Sequence, residues 1–170
     1  MQPLRYIAPI ASLAVLVLIA ALPWGLPPED RFFLPLLPVV AIHYWSLRHG
    51  ALIPEWVVFL AGLTLDILTH GPLGYWALIY LTAHMLAVVS APYASHGHVA
   101  RLALLVFALA IVTVVAWAVS SIYFLEPADF QPYAIAAGLA GAVALLLVPM
   151  LRAADSRQGS RSSGRFERGA

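Results

Sequence analysis

Hydrophobic and polar positions along this chain gather into long charge-free runs separated by short polar or Pro-rich breaks. A hydrocarbon core roughly 30 Å thick takes about 20 apolar residues in a helix, so these runs predict helices, and six emerge. The first covers about Tyr6 to Leu26 and closes in the turn GLPPEDR. The second, Phe32 to Leu47, holds about 16 residues, or about 24 Å of helix, and contains Pro35 and Pro38. A segment that short must thin the bilayer, bend, or be partly re-entrant. The third, from about Leu52 to His70, carries Glu55 and Asp66 and has Pro54 where a first turn tolerates it. The fourth follows at once, from Gly74 to about Tyr93. After SHGHVAR comes the fifth, Leu102 to Leu125, and after EPADFQP the sixth, Tyr133 to Leu151.

These elements predict an all-α fold, a polytopic transmembrane bundle of about six helices over residues 1–151. Residues 152–170 are Arg, Ser and Gly with almost nothing to bury, and predict a disordered tail. The stretch after MQPLR has the flavour of a signal peptide, but Tyr6 to Pro28 is free of charge over about 23 residues, longer than a typical signal core. It is therefore expected to be a spanning helix.

Composition agrees: 62% of residues are hydrophobic and 10% charged, against about 25% charged in a soluble domain, and the mean hydropathy is +0.89. The absence of cysteine excludes disulfides, thiolate metal sites and cysteine nucleophiles. The net charge of +1 says little, but the placement of charge says more. Cytoplasmic loops collect basic residues. With six spans and the N-terminus inside, the inner side holds Arg5, Arg48, Arg101, Arg152, Arg157, Arg161, Arg165 and Arg168, and the outer side only Arg31. Both termini are thus expected in the cytoplasm. Tyr44, Trp45, Trp56, Tyr75, Trp76, Tyr93, Tyr123 and Phe124 fall near predicted helix ends, where amphipathic rings favour the interface.

An ionisable side chain within a bilayer seeks a partner, a cavity or the bundle interior. On the third helix Glu55, Phe59, Gly62 and Asp66 fall on one stripe at about 100° per residue, which predicts an interior or partner-facing seam. Gly62 offers a place for another backbone to approach. By depth, Glu55 is open to a hydrogen bond with His43 in the inner leaflet; the alternative is that Glu55 snorkels to the interface. Asp66 is about 6 Å from the outer end of its helix and His84 about 15 Å down the next, so a direct pair is disfavoured. His70 stands four residues on, on the same face. The break at His70, Gly71, Pro72, Leu73 and Gly74 starts a new helix whose first N–H groups point toward Asp66. Pro72 fixes the approach, and Gly71 and Gly74 permit tight backbone geometry. Asp66 then staples the hairpin; a proton, ion or ligand site and an inter-subunit contact are the other readings.

On the sixth helix Ala137 with Gly141, and Gly138 with Ala142, predict a close-packing face. The five arginines from Arg152 onward either lie on anionic lipid, about 1 kcal/mol each, or only anchor the topology. His96 and His98 lack a third metal ligand nearby, and His84 reads as a core histidine. No HExxH, GxSxG or phosphate-binding glycine loop occurs. Glu55 lies about 16 Å from Asp66 along one helix, too far to share a proton. No catalytic residue, cofactor, metal or nucleic-acid partner is expected.

A six-helix bundle of this length, with a short Pro-containing second segment and a third reading GLTLDILTHGPLGYWAL, resembles the MreD family of bacterial rod shape-determining membrane proteins. The residues carrying the resemblance are Gly62, Asp66, Pro72, Leu73 and Gly74. It implies a non-catalytic component of the inner-membrane machinery that elongates peptidoglycan, acting with MreC, MreB, and RodA with its penicillin-binding transpeptidase. It also implies a bundle similar to the substrate-capture subunits of energy-coupling-factor transporters. A second expectation follows from that likeness and from Trp24, Phe32, Phe33, Tyr75 and Trp76 near the outer face: capture of a vitamin-like small molecule for a transporter.

Overall fold

Each charge-free run folds as a helix, because in hydrocarbon the backbone must satisfy its own polar groups. The computed structural model describes the backbone of residues 4–25, 28–49 and 53–166, and side chains over 7–25, 32–47, 53–95 and 97–155. Six α-helices follow in order: α1 (Leu4–Ala21), α2 (Leu37–His49), α3 (Glu55–Thr69), α4 (Tyr75–Ser90), α5 (His98–Phe124) and α6 (Gln131–Phe166). Short 3-10 helices, Pro28–Leu36 and Ala91–His96, lead into α2 and α5. No strand occurs among the described residues. Among the described residues, three stretches are long and apolar enough to cross a membrane: Tyr75–Ser95, His98–Phe124 and Gln131–Asp155. The protein is an all-α membrane bundle.

The short second segment meets its length problem by enclosure. Every residue from Leu34 to Leu47 is buried, and α2 is packed by α1, α4, α5 and α6. Burial on every side, at His43 and Ser46 as well as at the apolar positions, places this helix inside the bundle. At about 20 Å it is matched to protein rather than to lipid. Pro38 stands in its first turn, where a missing N–H leaves no helical bond unmade. Pro35 lies in the preceding 3-10 helix, and its carbonyl accepts a 3.0 Å hydrogen bond from the buried Tyr80 hydroxyl.

This enclosure corrects the expected aromatic belt. Trp56, Tyr93, Tyr123 and Phe124 are exposed on the bundle surface, but Tyr44, Trp45 and Trp76 are core residues. Trp45 is 1% exposed, and its indole N–H donates to Ser12 Oγ at 2.9 Å, tying α2 to α1. Their sequence positions near helix ends match an interface, yet α2, which carries Tyr44 and Trp45, has no face left for lipid, and Trp76 of α4 lies inside beside Tyr80 and Tyr133.

Helix α6 departs from expectation twice. Its packing row is Ala136, Ala140 and Ala144, all buried, whereas Gly138 and Ala142 are exposed. Gly141 and Ala137 stand at the flank: a Cβ at Gly141 meets Leu109 only at 4.0 Å, and one at Gly138 meets nothing. Alanine is already small enough for these neighbours, so glycine does not mark the seam. The helix also continues to Phe166, past the expected end at Leu151. The backbone of residues 152–166 is helical, although the Ser, Gly and Asp residues there are weak helix formers. Residues 167–170 lie outside the described residues, as do the side chains of Arg5, Arg31, Arg48, Arg157, Arg161 and Arg165.

The bundle has two chemically different ends. At one, Arg152 of α6 comes within 3.2 Å of His98 at the start of α5, with Arg101 close by. At the other, Tyr75 at the start of α4 donates to the Ala116 carbonyl of α5 at 3.0 Å, and Trp117 donates to the Ala128 carbonyl at 2.7 Å. Phe32 packs on Tyr133 there, with ring centroids 5.0 Å apart. Enclosure of α2 makes a direct prediction for tryptophan substitutions. Trp45→Ala is expected to cost about 3–5 kcal/mol and Trp56→Ala within about 0.5 kcal/mol, measured by reversible unfolding in mixed micelles; equal costs contradict the enclosed position.

Candidate functional site

The loop between α3 and α4 is built almost wholly from backbone groups that need acceptors. Helix α3 ends when His70 turns left-handed, at φ 55°. His70 N–H then donates to the Ile67 carbonyl at 3.3 Å, and Gly71 N–H to the Asp66 carbonyl at 3.0 Å. The Pro72 carbonyl accepts from Tyr75 N–H at 3.1 Å, and Leu73 sits exposed at the tip. Gly74 caps α4 at φ 92°, a conformation that L side chains rarely adopt.

A glycine cap has no side chain with which to satisfy the first N–H groups of the helix. Asp66 supplies the acceptors from the neighbouring helix. Its Oδ2 accepts from Gly74 N–H and its Oδ1 from Trp76 N–H, each at 2.9 Å. The residue is 0% exposed. Carboxylate-to-amide bonds of this kind are charge-assisted, and the positive end of the α4 dipole adds to them.

Gly62 lets the two helices come close enough for so short an acid to reach. A Cβ at this position would clash with the Ala77 Cα and lie 2.5 Å from Ala77 N and 2.7 Å from the Trp76 carbonyl carbon. Those are backbone atoms of the same turn that Asp66 caps. Gly62, Asp66 and Gly74 therefore converge on one contact.

The remaining motif residues are placed differently from expectation. His70 is exposed and its imidazole makes no bond to Asp66 among the described residues. Leaving the helix in the left-handed conformation removes it from the i+4 face. Gly71 keeps an ordinary φ, since His70 takes the positive value instead, and a Cβ there meets only Thr69 Oγ1 at 3.5 Å.

The stripe on α3 also divides. Val58, Gly62, Leu65 and Asp66 are buried, whereas Glu55 and Phe59 are exposed. Phe59 stands about 60° around the helix from Gly62, at the flank of the contact, and Glu55 lies in the first turn. Glu55 does not meet His43. Helix α3 packs on α4 and α1, and α2 packs on α4. His43 is 2% exposed, and neither of its ring nitrogens has a hydrogen-bond partner.

Sequence reasoning missed the buried polar link between α2 and α4. Ser46 Oγ lies 2.8 Å from His84 Nδ1, with both residues buried. Ser46 was the available signal, a hydroxyl within an apolar run. It also overlooked Tyr80, whose bond to Pro35 joins α4 to the start of α2.

The aromatic side chains near the acidic hairpin fill their own space. Phe32, Leu36, Trp76, Tyr133 and Ala136 surround a cavity of about 10 Å³, no more than a single water fills. Among the described residues, no group of three His, Asp or Glu side chains is placed to hold a metal ion. The arrangement works as a fixed acceptor, binding backbone to backbone through one carboxylate.

Removing that acceptor is expected to cost about 1–3 kcal/mol for each of the two buried N–H groups left unmatched. Asp66→Ala is thus the most damaging change, and Asp66→Asn intermediate because one oxygen remains. Gly62→Ala is expected to cost about 1–3 kcal/mol or more through overpacking, while Gly71→Ala is nearly neutral. Unfolding midpoints of the four variants in one detergent check this order. The chain matches no protein-family model, no curated protein and no solved structure.

Proposed function

We propose that this chain is a non-catalytic scaffold of the bacterial inner (cytoplasmic) membrane, acting in the complex that elongates the peptidoglycan wall. The observation that carries the reading is the use made of the MreD-like residues. Asp66 has both carboxylate oxygens committed to backbone N–H groups of α4, at full burial. An acid held in this way gives rigidity to a hairpin and has no exposed oxygen to offer a substrate.

Rigidity of the hairpin sets the shape of its outer face. There Trp56, Phe59, Leu60, Ile67 and Leu68 of α3 are exposed and provide an apolar lane suited to a single spanning helix, as MreC would present. MreB, and RodA with its penicillin-binding transpeptidase, are the further partners that the resemblance suggests. In this orientation the end bearing Arg101 and Arg152 faces the cytoplasm, in keeping with the positive-inside rule. Capture of a vitamin-like molecule by the outer aromatic residues draws less support, since the cavity that Phe32 and Trp76 line is only about 10 Å³, against roughly 300–1,000 Å³ for typical ligand pockets.

Co-purification with MreC tests the proposal. Recovery is expected to fall severalfold for Asp66→Ala and less for Asp66→Asn. Equal recovery by wild type and both variants overturns the link between the hairpin and the partner.

A further inference from the structure

A sizeable space within the bundle lies at the basic end, away from the hairpin. It measures about 240 Å³ and lies between α2, the first turns of α5, and α6. Its polar lining is entirely nitrogenous or phenolic: His43, Tyr44, His98, Arg101 and Arg152, with no carboxylate among the lining residues. The rest is aliphatic.

Three observations point to an anionic occupant. His43 is 2% exposed, lines the cavity, and has no hydrogen-bond partner at either ring nitrogen. Whatever its protonation, an imidazole carries at least one N–H donor, and buried donors without partners are rare enough to require an explanation. Arg152 likewise has a buried Nε with no partner, while its Nη2 lies 3.2 Å from His98 Nδ1. Arg101 is held in position by donation from its Nε to the Ala94 carbonyl at 3.0 Å. Two arginines lining one apolar-walled space suit a phosphate, which accepts from several donors at once.

The cavity also has an apolar exit. Leu102 of α5 and Leu145 of α6 both line it, and they are 46% and 60% exposed on the bundle surface. In a bilayer that side is open to acyl chains. Pro149 lines the same space and has no N–H to offer the Leu145 carbonyl one turn before it, which weakens the α6 ladder at this level. At about 240 Å³ the space takes a headgroup and the beginning of a chain, with the remainder lying outside among lipids.

We propose that this cavity binds an anionic phospholipid, its phosphate held by His43, Arg101 and Arg152 and its tail leaving between α5 and α6. The site is independent of the hairpin and of the scaffold reading.

Native mass spectrometry of the full chain in neutral detergent, titrated with phosphatidylglycerol or phosphatidylcholine, tests the proposal. Wild type is expected to retain one phosphatidylglycerol at least about tenfold more tightly than phosphatidylcholine, the charge-assisted contacts being the difference. His43→Leu and Arg101→Gln are each expected to weaken that retention by about tenfold. Replacing an unpartnered buried imidazole by an apolar side chain is neutral or stabilising for the fold, so His43→Leu should melt no lower than wild type while losing lipid. That divergence is one a purely structural role does not produce. Thr64→Ala, on the exposed side of α3, is expected to leave retention unchanged. Unaltered retention by His43→Leu, or an equal loss in Thr64→Ala, overturns the site. Protection against unfolding by inorganic phosphate alone, as strong as that by phosphatidylglycerol, overturns the assignment to a lipid.

Discussion

A helix that begins inside a bundle exposes amide hydrogens that lipid cannot satisfy, and α4 begins with a glycine that has no side chain to help. The carboxylate of Asp66 answers that need from the preceding helix, with bonds of 2.9 Å to Gly74 and Trp76. Its reach depends on Gly62, because any Cβ there would collide with the backbone at Trp76 and Ala77. The acid and the glycine are one device. The glycine sets the interhelical distance and the acid makes that distance favourable, so neither is useful alone. The positive φ of Gly74 completes it by turning the chain back within a few residues.

Once α3 and α4 are joined, the other elements arrange themselves about α2. Its enclosure is reinforced by polar links chosen to satisfy buried groups: Trp45 to Ser12 of α1, Ser46 to His84 of α4, and Tyr80 of α4 to the Pro35 carbonyl just before α2. Apolar packing alone discriminates poorly between helix faces when the surroundings are equally apolar, whereas hydrogen bonds specify partner and register. These three links attach the central helix to neighbours on two sides. They also explain why a segment too short to span comfortably is not a weak point, since nothing requires α2 to meet lipid along its length.

What could be read from the sequence was whatever depended on neighbours close in the chain. The six charge-free runs become six helices, and the hairpin could be inferred because its acceptor and donors lie within ten residues of one another. Relations between distant segments were not legible. The pairing of Glu55 with His43 presumed that α3 faces α2, yet α4 and α1 are its neighbours. The row of small residues on α6 was sought at glycine, though Ala136, Ala140 and Ala144 form it. Tyr44 and Trp45 were assigned to an interface by their position in the chain, and only the packing around α2 places them in the core. In each case the local chemistry was compatible with several neighbours, and the choice among them is a property of the assembled bundle.

The two ends of the bundle treat their polar groups in opposite ways. Around the acidic hairpin the donors and acceptor are matched to one another, and Phe32, Trp76 and Tyr133 close the remaining space to about 10 Å³. At the basic end the space is about 240 Å³, His43 and the Arg152 Nε have no partners, and Pro149 interrupts the hydrogen-bond ladder of α6 beside them. Buried unmatched donors reduce stability, and an aliphatic residue at position 43 would avoid part of that cost. A fold that commits a buried acid to holding two helices together, and leaves donors unmatched beside an opening toward lipid, divides its polar chemistry between architecture at one end and recognition at the other.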